Sequence, residues 1–340
     1  MTQKTNLVAD AIVGLAVGDA FGLPYHFMNR DSIKLKSNNV MKTSNIVEEP
    51  LGSFSDDTSL TLCLLDSLTR YKKINYSDIC NNFVLWLGSG KFTPLGHAFG
   101  VGQTTLKAIQ NFAKRMTPIE CGSKDEFSNG NGSLIRILPL AFHLYKRYGA
   151  CLFINPKCVK TIAETSSLTH AHERTIIAVS IYLSIAVKTL DKRFKLGKPL
   201  AKSQLNKAIE EGTQEALDYF LTRKEFKGQL GYFSKFLINE KTQKLNLLAF
   251  GDKEIRSSAY VVDTLESAIW CLLKSKTYKQ TVVLAVNLGG DTDSCASVSG
   301  GLAGLAYGKE AIPASWKASL LGSTQINKLC VKYMKQLSLI

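Results

Sequence analysis

Apolar residues recur along this chain at helical spacing and almost nowhere in strict alternation. Leu7, Val8, Ala11, Ile12, Leu15 and Ala16 predict a first helix to about Val17, opening into Gly18-Asp19-Ala20-Phe21-Gly22. After a polar, irregular stretch at 29–52, Leu60, Cys63, Leu64 and Leu68 predict a helix that begins at Ser55-Asp56-Asp57. A glycine-rich turn follows Gly88, and the next helix is expected over Thr104–Phe112. Leu134, Ile137, Leu138, Ala141, Phe142 and Tyr145 form another stripe, in which Pro139 is either a kink or the first turn of a second helix. Residues 176–187, IIAVSIYLSIAV, are apolar nearly all round and predict a buried helix. Lys202–Lys224 reads as amphipathic. Leu265, Ala268, Ile269, Leu272 and Leu273 predict a helix beginning after Tyr260-Val261-Val262-Asp263-Thr264, and Val282–Leu288 a short apolar one. No period-2 hairpin run and no fixed-period repeat occurs. The expected architecture is all-α, one compact domain over 1–340, with a polar, lysine-rich and partly loop-like segment at about 188–255.

Composition narrows this picture only slightly. Of 340 residues, 45% are hydrophobic and 21% charged, which fits a globular rather than a disordered chain. The eight cysteines are scattered without a CxxC, so no zinc ribbon or thioredoxin-type motif is indicated. Reduced thiols in an intracellular, cytoplasmic setting are expected. Asp10 breaks the first apolar run and no strongly basic stretch precedes it, so neither a signal peptide nor a membrane span is expected. Much of the net charge of +14 lies in Lys188–Lys253, away from the candidate chemistry, and reads as a solvated surface. No helix-turn-helix or RNA-module signature accompanies it, so nucleic acid is not the expected partner.

The densest chemistry lies in Asn287–Gly308, NLGGDTDSCASVSGGLAGLAYG. Two glycines precede Asp291, Thr292, Asp293 and Ser294, and a run of small residues lets neighbouring backbones come close. Ser55, Asp56 and Asp57 form a second cluster at another helix start. Each cluster read alone is an N-cap. Brought together, four carboxylates repel unless a cation neutralises them, and an oxygen-only donor set favours magnesium or manganese over zinc. Two such clusters can bracket two ions. Other motifs fail on spacing. Gly90-Lys91 is not a phosphate loop, because Leu85 and Phe92 stand where Gly and Ser or Thr are required. His172-Glu173 is not a zinc-protease motif, because position 176 is Ile176. A histidine pair before a buried helix is more often capping or core hydrogen bonding than a ligand.

The order of segments goes beyond spacing. GLAVGDAFGLP (14–24), SFSDDTSLTL (53–62), FTPLGHAFGVGQTT (92–105), GNGSLIRILPLA (130–141), THAHERTIIA (169–178), YVVDTLESAIWCL (260–272) and the stretch from Asn287 resemble the ADP-ribosylglycohydrolase family, which includes the dinitrogenase-reductase-activating glycohydrolases. The resemblance implies an all-helical fold with a binuclear magnesium or manganese centre. It also implies hydrolysis of the bond joining ADP-ribose to a protein side chain, commonly arginine. By motif it makes Ser55, Asp56, Asp57, Asp291, Asp293 and Ser294 the metal ligands. Asn131, Gly132, Ser133 and His172 would line the ADP-ribose site. The expected partners are an ADP-ribosylated protein and ADP-ribose itself, with the enzyme a monomer.

Three positions depart from the family pattern. His26 stands where a glutamate is usual, Gly100 where many members carry aspartate, and Glu173 where a proline follows the second histidine. The first two remove carboxylates that would activate water or hold a leaving guanidinium. An imidazole can still accept a proton when neutral, so His26 joins Asp56, Asp57 and Asp291 as the catalytic expectation. The alternative is a non-catalytic ADP-ribose binder of the same fold.

Overall fold

The computed structural model describes residues 6–35, 40–43 and 49–337; part of the irregular stretch expected at 29–52 therefore lies outside the described residues. The α-helices are α1 (Leu7–Gly22), α2 (Asp56–Arg70), α3 (Tyr76–Ser89), α4 (Gln103–Ala113), α5 (Leu138–Tyr148), α6 (Pro156–Ser167), α7 (Glu173–Leu196), α8 (Lys202–Leu221), α9 (Val261–Lys274), α10 (Tyr278–Asn287), α11 (Thr292–Tyr307), α12 (Ala314–Ser319) and α13 (Ser323–Leu337). Short 3-10 turns join many of them. The strands among the described residues are a two-residue antiparallel pair, Ile238–Asn239 with Lys244–Leu245.

The helix pair α1–α11 is the axis of the molecule. Every residue of α1 is buried, and α11 is buried from Thr292 to Ala306. Gly14, Gly18 and Gly22 recur every fourth residue and so share one face. A Cβ at Gly18 would lie 2.2 Å from the Ala296 carbonyl oxygen, and one at Gly14 2.5 Å from that of Gly300. Gly300 and Gly304 on α11 meet the backbones of Gly14 and Asp10 in the same way. This seam explains why α1 runs to Gly22 rather than stopping near Val17. Glycine weakens an isolated helix, but here its missing side chain admits the partner backbone, and burial outweighs propensity. The stretch Leu7–Tyr25 is long and apolar enough to match a membrane span by length and composition, yet nearly all of it is packed inside the protein.

Other boundaries also shift for identifiable reasons. Pro139 sits in the first turn of α5, so it starts a helix and does not kink one. α9 begins at Val261, earlier than expected, because Val261, Val262 and Thr264 are β-branched and read poorly as helix, yet the run Val261–Thr264 is buried. α10 starts at Tyr278, where Thr277 Oγ1 accepts the Gln280 N–H at 3.2 Å. The lysine-rich segment from 188 is more ordered than its composition implies. Its first part continues buried α7, and Lys188 and Lys192 each lie 2.8 Å from a glutamate of α8, Glu215 and Glu211. At the far end of the axis, Arg193 of α7 pairs with Asp10 of α1 at 2.6 Å, both buried.

Candidate active site

Four segments converge at the other end of the α1–α11 pair: the last turn of α1, the starts of α2 and α11, and the loop that carries His26. The α2 start is a true cap, with Ser55 Oγ accepting the Asp57 N–H at 3.3 Å. Asp19, which the sequence reading passed over, anchors that cap from α1. Its carboxylate accepts from Ser55 N at 3.0 Å, Thr58 N at 3.0 Å and Thr58 Oγ1 at 2.6 Å. Its signal was an aspartate, one of two, in an otherwise apolar helix, a costly placement unless the carboxylate is fully bonded. At α11, Gly289 and Gly290 adopt φ of +70° and +68°, which turns the chain tightly into Asp291. Asp291 holds the N-cap position but makes no capping bond with its side chain, so its carboxylate is left for other work.

The two acidic clusters share one place. Ser294 Oγ of α11 donates to Asp57 Oδ2 of α2 at 3.2 Å, and Ser55 Oγ donates to the same oxygen at 3.2 Å. Asn131 Nδ2 donates to Asp291 Oδ2 at 2.7 Å and to Thr264 Oγ1 at 3.0 Å, fixing that carboxylate from the 3-10 turn Asn131–Ser133. His26 Nε2 lies 3.4 Å from Asp291 Oδ1 and 3.6 Å from Asp293 Oδ1. Among the described residues, no lysine or arginine forms an ion pair with Asp19, Asp56, Asp57, Asp291 or Asp293. Burial, followed by the charge of Asp19 and Asp291, pushes Asp56 well above the ordinary carboxylate range. Burial also raises Asp57, with Asp19, Asp56 and Asp291 adding to it, and raises Asp293, with Asp291, Asp57 and Asp19 adding.

These residues suit a divalent cation. Asp57 Oδ1 and Asp293 Oδ1 are buried carboxylate oxygens with no hydrogen-bond partner, an arrangement that is costly unless something positive faces them. The positive ends of two helix dipoles moderate the repulsion without removing it. The donors are mainly carboxylate and hydroxyl oxygens, as a hard ion requires. The sequence contained no histidine within either cluster, but the fold adds one: single ligand atoms of His26, Asp291 and Asp293 lie within 4.8 Å of one another.

The cluster forms the floor of a cleft of about 450 Å³. Its walls include Phe27, Gly100–Thr105, Gly130, Asn131, Gly132, Ile135, His170 and Ala259. Two expected wall residues are placed elsewhere. Ser133 is buried and donates to Ser166 Oγ at 2.9 Å. His172 caps α7, its Nδ1 accepting the Arg174 N–H at 3.2 Å. The histidine that lines the cleft is His170, two residues earlier, while His172 is taken up as the N-cap of α7. Burial, then nearby Arg136, pulls His170 down to about 3, so it presents a neutral imidazole. At Gly100, φ is +80° and a Cβ would lie 2.8 Å from Asp56 Oδ1. An aspartate restored there would be strained and would crowd that carboxylate. A second recess of about 440 Å³ shares Gly130 and Ala259 with the cleft and contains Tyr260, Arg174 and Phe127, whose ring is 96% exposed. Phe127 left no periodic signal in the sequence, since it belongs to no helix face.

Known proteins match this chain along nearly its whole length. The family model for ADP-ribosylglycohydrolase matches residues 1–338. The ADP-ribosylarginine hydrolase Tri1 of Pseudomonas putida (strain GB-1) is 29% identical over 330 residues, covering 96% of this chain and 77% of that protein. The ADP-ribosyl-[dinitrogen reductase] glycohydrolase of Rhodospirillum rubrum is 26% identical over 312 residues, covering 91% of this chain and 88% of that protein. A solved structure, an ADP-ribosylglycohydrolase-related protein complex, shares the fold with a TM-score of 0.71 at 23% identity, covering 99% of each chain. The chain therefore belongs to the ADP-ribosylglycohydrolase family and is an enzyme of that class.

Proposed function

We propose that this enzyme hydrolyses the N-glycosidic bond between ADP-ribose and an arginine side chain of a modified protein, that residues 1–340 form one catalytic domain, and that two divalent cations, magnesium or manganese, serve the reaction. The observation that carries the reading is that Asp57 and Asp293, which line one cleft from two helix starts, each bury an oxygen, Oδ1, without a hydrogen-bond partner. Ser55, Asp56, Asp57, Asp291, Asp293 and Ser294 would hold the ions. When bound, they would anchor ribose hydroxyls and make water more acidic.

The chain's own groups do the rest. Asp19 and Asn131 keep the carboxylates of both clusters in register through bonds that leave the cleft-facing oxygens free. Neutral His170, beside Gly130 and Gly132, adds an uncharged polar wall where a cationic one would repel the ions. His26 Nε2, close to Asp291 and Asp293, accepts the proton of the attacking water as the anomeric C–N bond breaks and the guanidine leaves. The test is direct. Incubated with an ADP-ribosylarginine protein and with an ADP-ribosylserine peptide, each in magnesium and in EDTA, the enzyme should release ADP-ribose from the arginine conjugate in magnesium alone. Release that survives EDTA would remove the cations from the reading.

Two further expectations arise here. His26→Ala should lower kcat by about a hundredfold, the usual contribution of a general base, while His26→Glu should retain or exceed the native rate. Untouched activity in His26→Ala would assign the proton to another acceptor. Phe127→Ala should weaken ADP-ribose binding by roughly tenfold, because an exposed aromatic face beside the cleft suits the adenine base, and stacking of a base on an aromatic contributes about 1–3 kcal/mol. Calorimetric titration with ADP-ribose reads this, and an unchanged affinity would place the base elsewhere.

A further inference from the structure

Phe27 has no packing role that explains its conformation. Its side chain is 70% exposed, so burial does not hold it. Its φ of +58° lies in the left-handed region, which is rare for a bulky residue. The surroundings impose this conformation. Phe27 N–H donates to the Gly290 carbonyl at 2.7 Å, and Gly290 N–H returns a bond to the Met28 carbonyl at 3.0 Å. A Cβ at Gly289 would come within 2.9 Å of Met28 O and of Arg30 Cα, so the loop sits directly on the turn that starts α11. The Phe27 ring stacks on His26 with centroids 3.9 Å apart and an interplanar angle of 27°, and it lines the cleft. An exposed aromatic ring held at a catalytic rim by a strained backbone is a feature whose cost the fold itself does not offset.

We infer that Phe27 sets the enzyme's preference for the leaving group, its open face stacking on the guanidinium of arginine-linked substrates. The inference rests on the hydrolase reading above and deepens it. A guanidinium is planar, delocalised and weakly hydrated, and it lies flat on aromatic faces. The positions where carboxylates would grip it are taken here by His26 and Gly100, and a Cβ at Gly100 would meet Asp56. A π face binds the cation without adding another negative charge beside four buried aspartates. A serine-linked substrate leaves as a neutral hydroxyl and gains nothing from such a face, so Phe27 discriminates between the two linkages.

The experiment uses the full-length enzyme with magnesium and the variants Phe27→Asn and Phe27→Trp. Asparagine enters the left-handed region readily, so Phe27→Asn removes the ring while leaving the loop its conformation. The first readout is titration of agmatine, a free guanidinium cation, into enzyme saturated with ADP-ribose. The second is kcat/KM on arginine- and serine-linked peptides. Phe27→Asn should weaken agmatine and lower kcat/KM on the arginine conjugate by about tenfold, within the range of a cation–π contact. ADP-ribose affinity should not change, Tm should stay level or rise, and Phe27→Trp should restore agmatine binding. Agmatine that fails to bind the native enzyme, or that binds Phe27→Asn equally well, overturns the inference, as does an equal loss on both conjugates. If the native enzyme cleaves neither conjugate, the hydrolase reading fails, while the agmatine titration still decides the role of Phe27.

Discussion

Asp293→Asn is expected to abolish divalent-cation binding and to reduce hydrolysis by on the order of a thousandfold, since one missing carboxylate at a buried ion site removes several kcal/mol of charge stabilisation. Asp291→Ala should do the same. Calorimetric titration of magnesium and manganese into native and variant proteins reads the first effect; equal binding in both would end the shared-site reading. Stability should move in the opposite direction. Asp56, Asp57 and Asp293 all have folded-state pKa values raised well above the ordinary 3.8, with burial as the leading cause. In EDTA the folded protein therefore holds protons that the unfolded chain releases. Its stability should be greatest below the unfolded value and should fall as pH rises from there through the raised folded values. Added cation, binding only the folded form, should reverse that slope at neutral pH. Asp293→Asn, with one buried charge fewer, should melt in EDTA at or above the native temperature, show a flatter pH dependence, and gain nothing from magnesium.

The second large effect lies in the α1–α11 seam. Gly18→Ala adds a single methyl group, on a helix, where alanine normally stabilises. Here that methyl would sit 2.2 Å from the Ala296 carbonyl oxygen and 2.8 Å from its carbon, both backbone atoms. The helices must separate, and the expected loss is about 3 kcal/mol or more, at the upper end of overpacking. Separation would also move Asp19 away from the α2 cap it holds, so cation affinity in the surviving folded fraction should fall too. Gly88→Ala provides the contrast. Gly88 lies in α3 with nothing within 4 Å of the added methyl, so a gain of about 0.5–1 kcal/mol is expected. Urea denaturation of both variants tests the pair, and similar shifts in the two would refute the seam as described.

The residues easiest to read from sequence were those whose local pattern and final role coincide. The Ser55-Asp56-Asp57 start of α2 and the Asp291–Ser294 start of α11 carry both their helix signals and their chemistry in a few adjacent letters. The all-helical character was equally plain, since the apolar stripes are long and periodic. What escaped was set by partners distant in the chain. Gly18 and Gly22 look like a helix end until α11 is laid against them. Asp19 looks like a stray charge until the Ser55 and Thr58 amides are counted. In the His170-Ala171-His172 motif, spacing alone cannot say which imidazole caps α7 and which faces the cleft; that depends on where α7 begins. The glutamate-to-histidine departure at 26 was visible as a letter, but its proximity to Asp291 and Asp293 was not.

The glycine seam also sets the order in which the molecule can be made. α1 leaves the ribosome long before α11, which begins 270 residues after α1 ends. At roughly 5–20 residues per second, the buried face of α1 waits on the order of 15–50 s for its partner. Through that interval the α11-facing side of an apolar helix has no permanent cover, and the early carboxylates of α2 lack Asp291 and Asp293. Contacts between segments far apart in a chain are also the slowest to close in folding. The nascent enzyme therefore passes through a prolonged stage in which its stickiest segment is exposed and its chemistry is absent, a stage that favours capture by a chaperone and makes truncation ahead of α11 far more damaging than truncation of a surface loop.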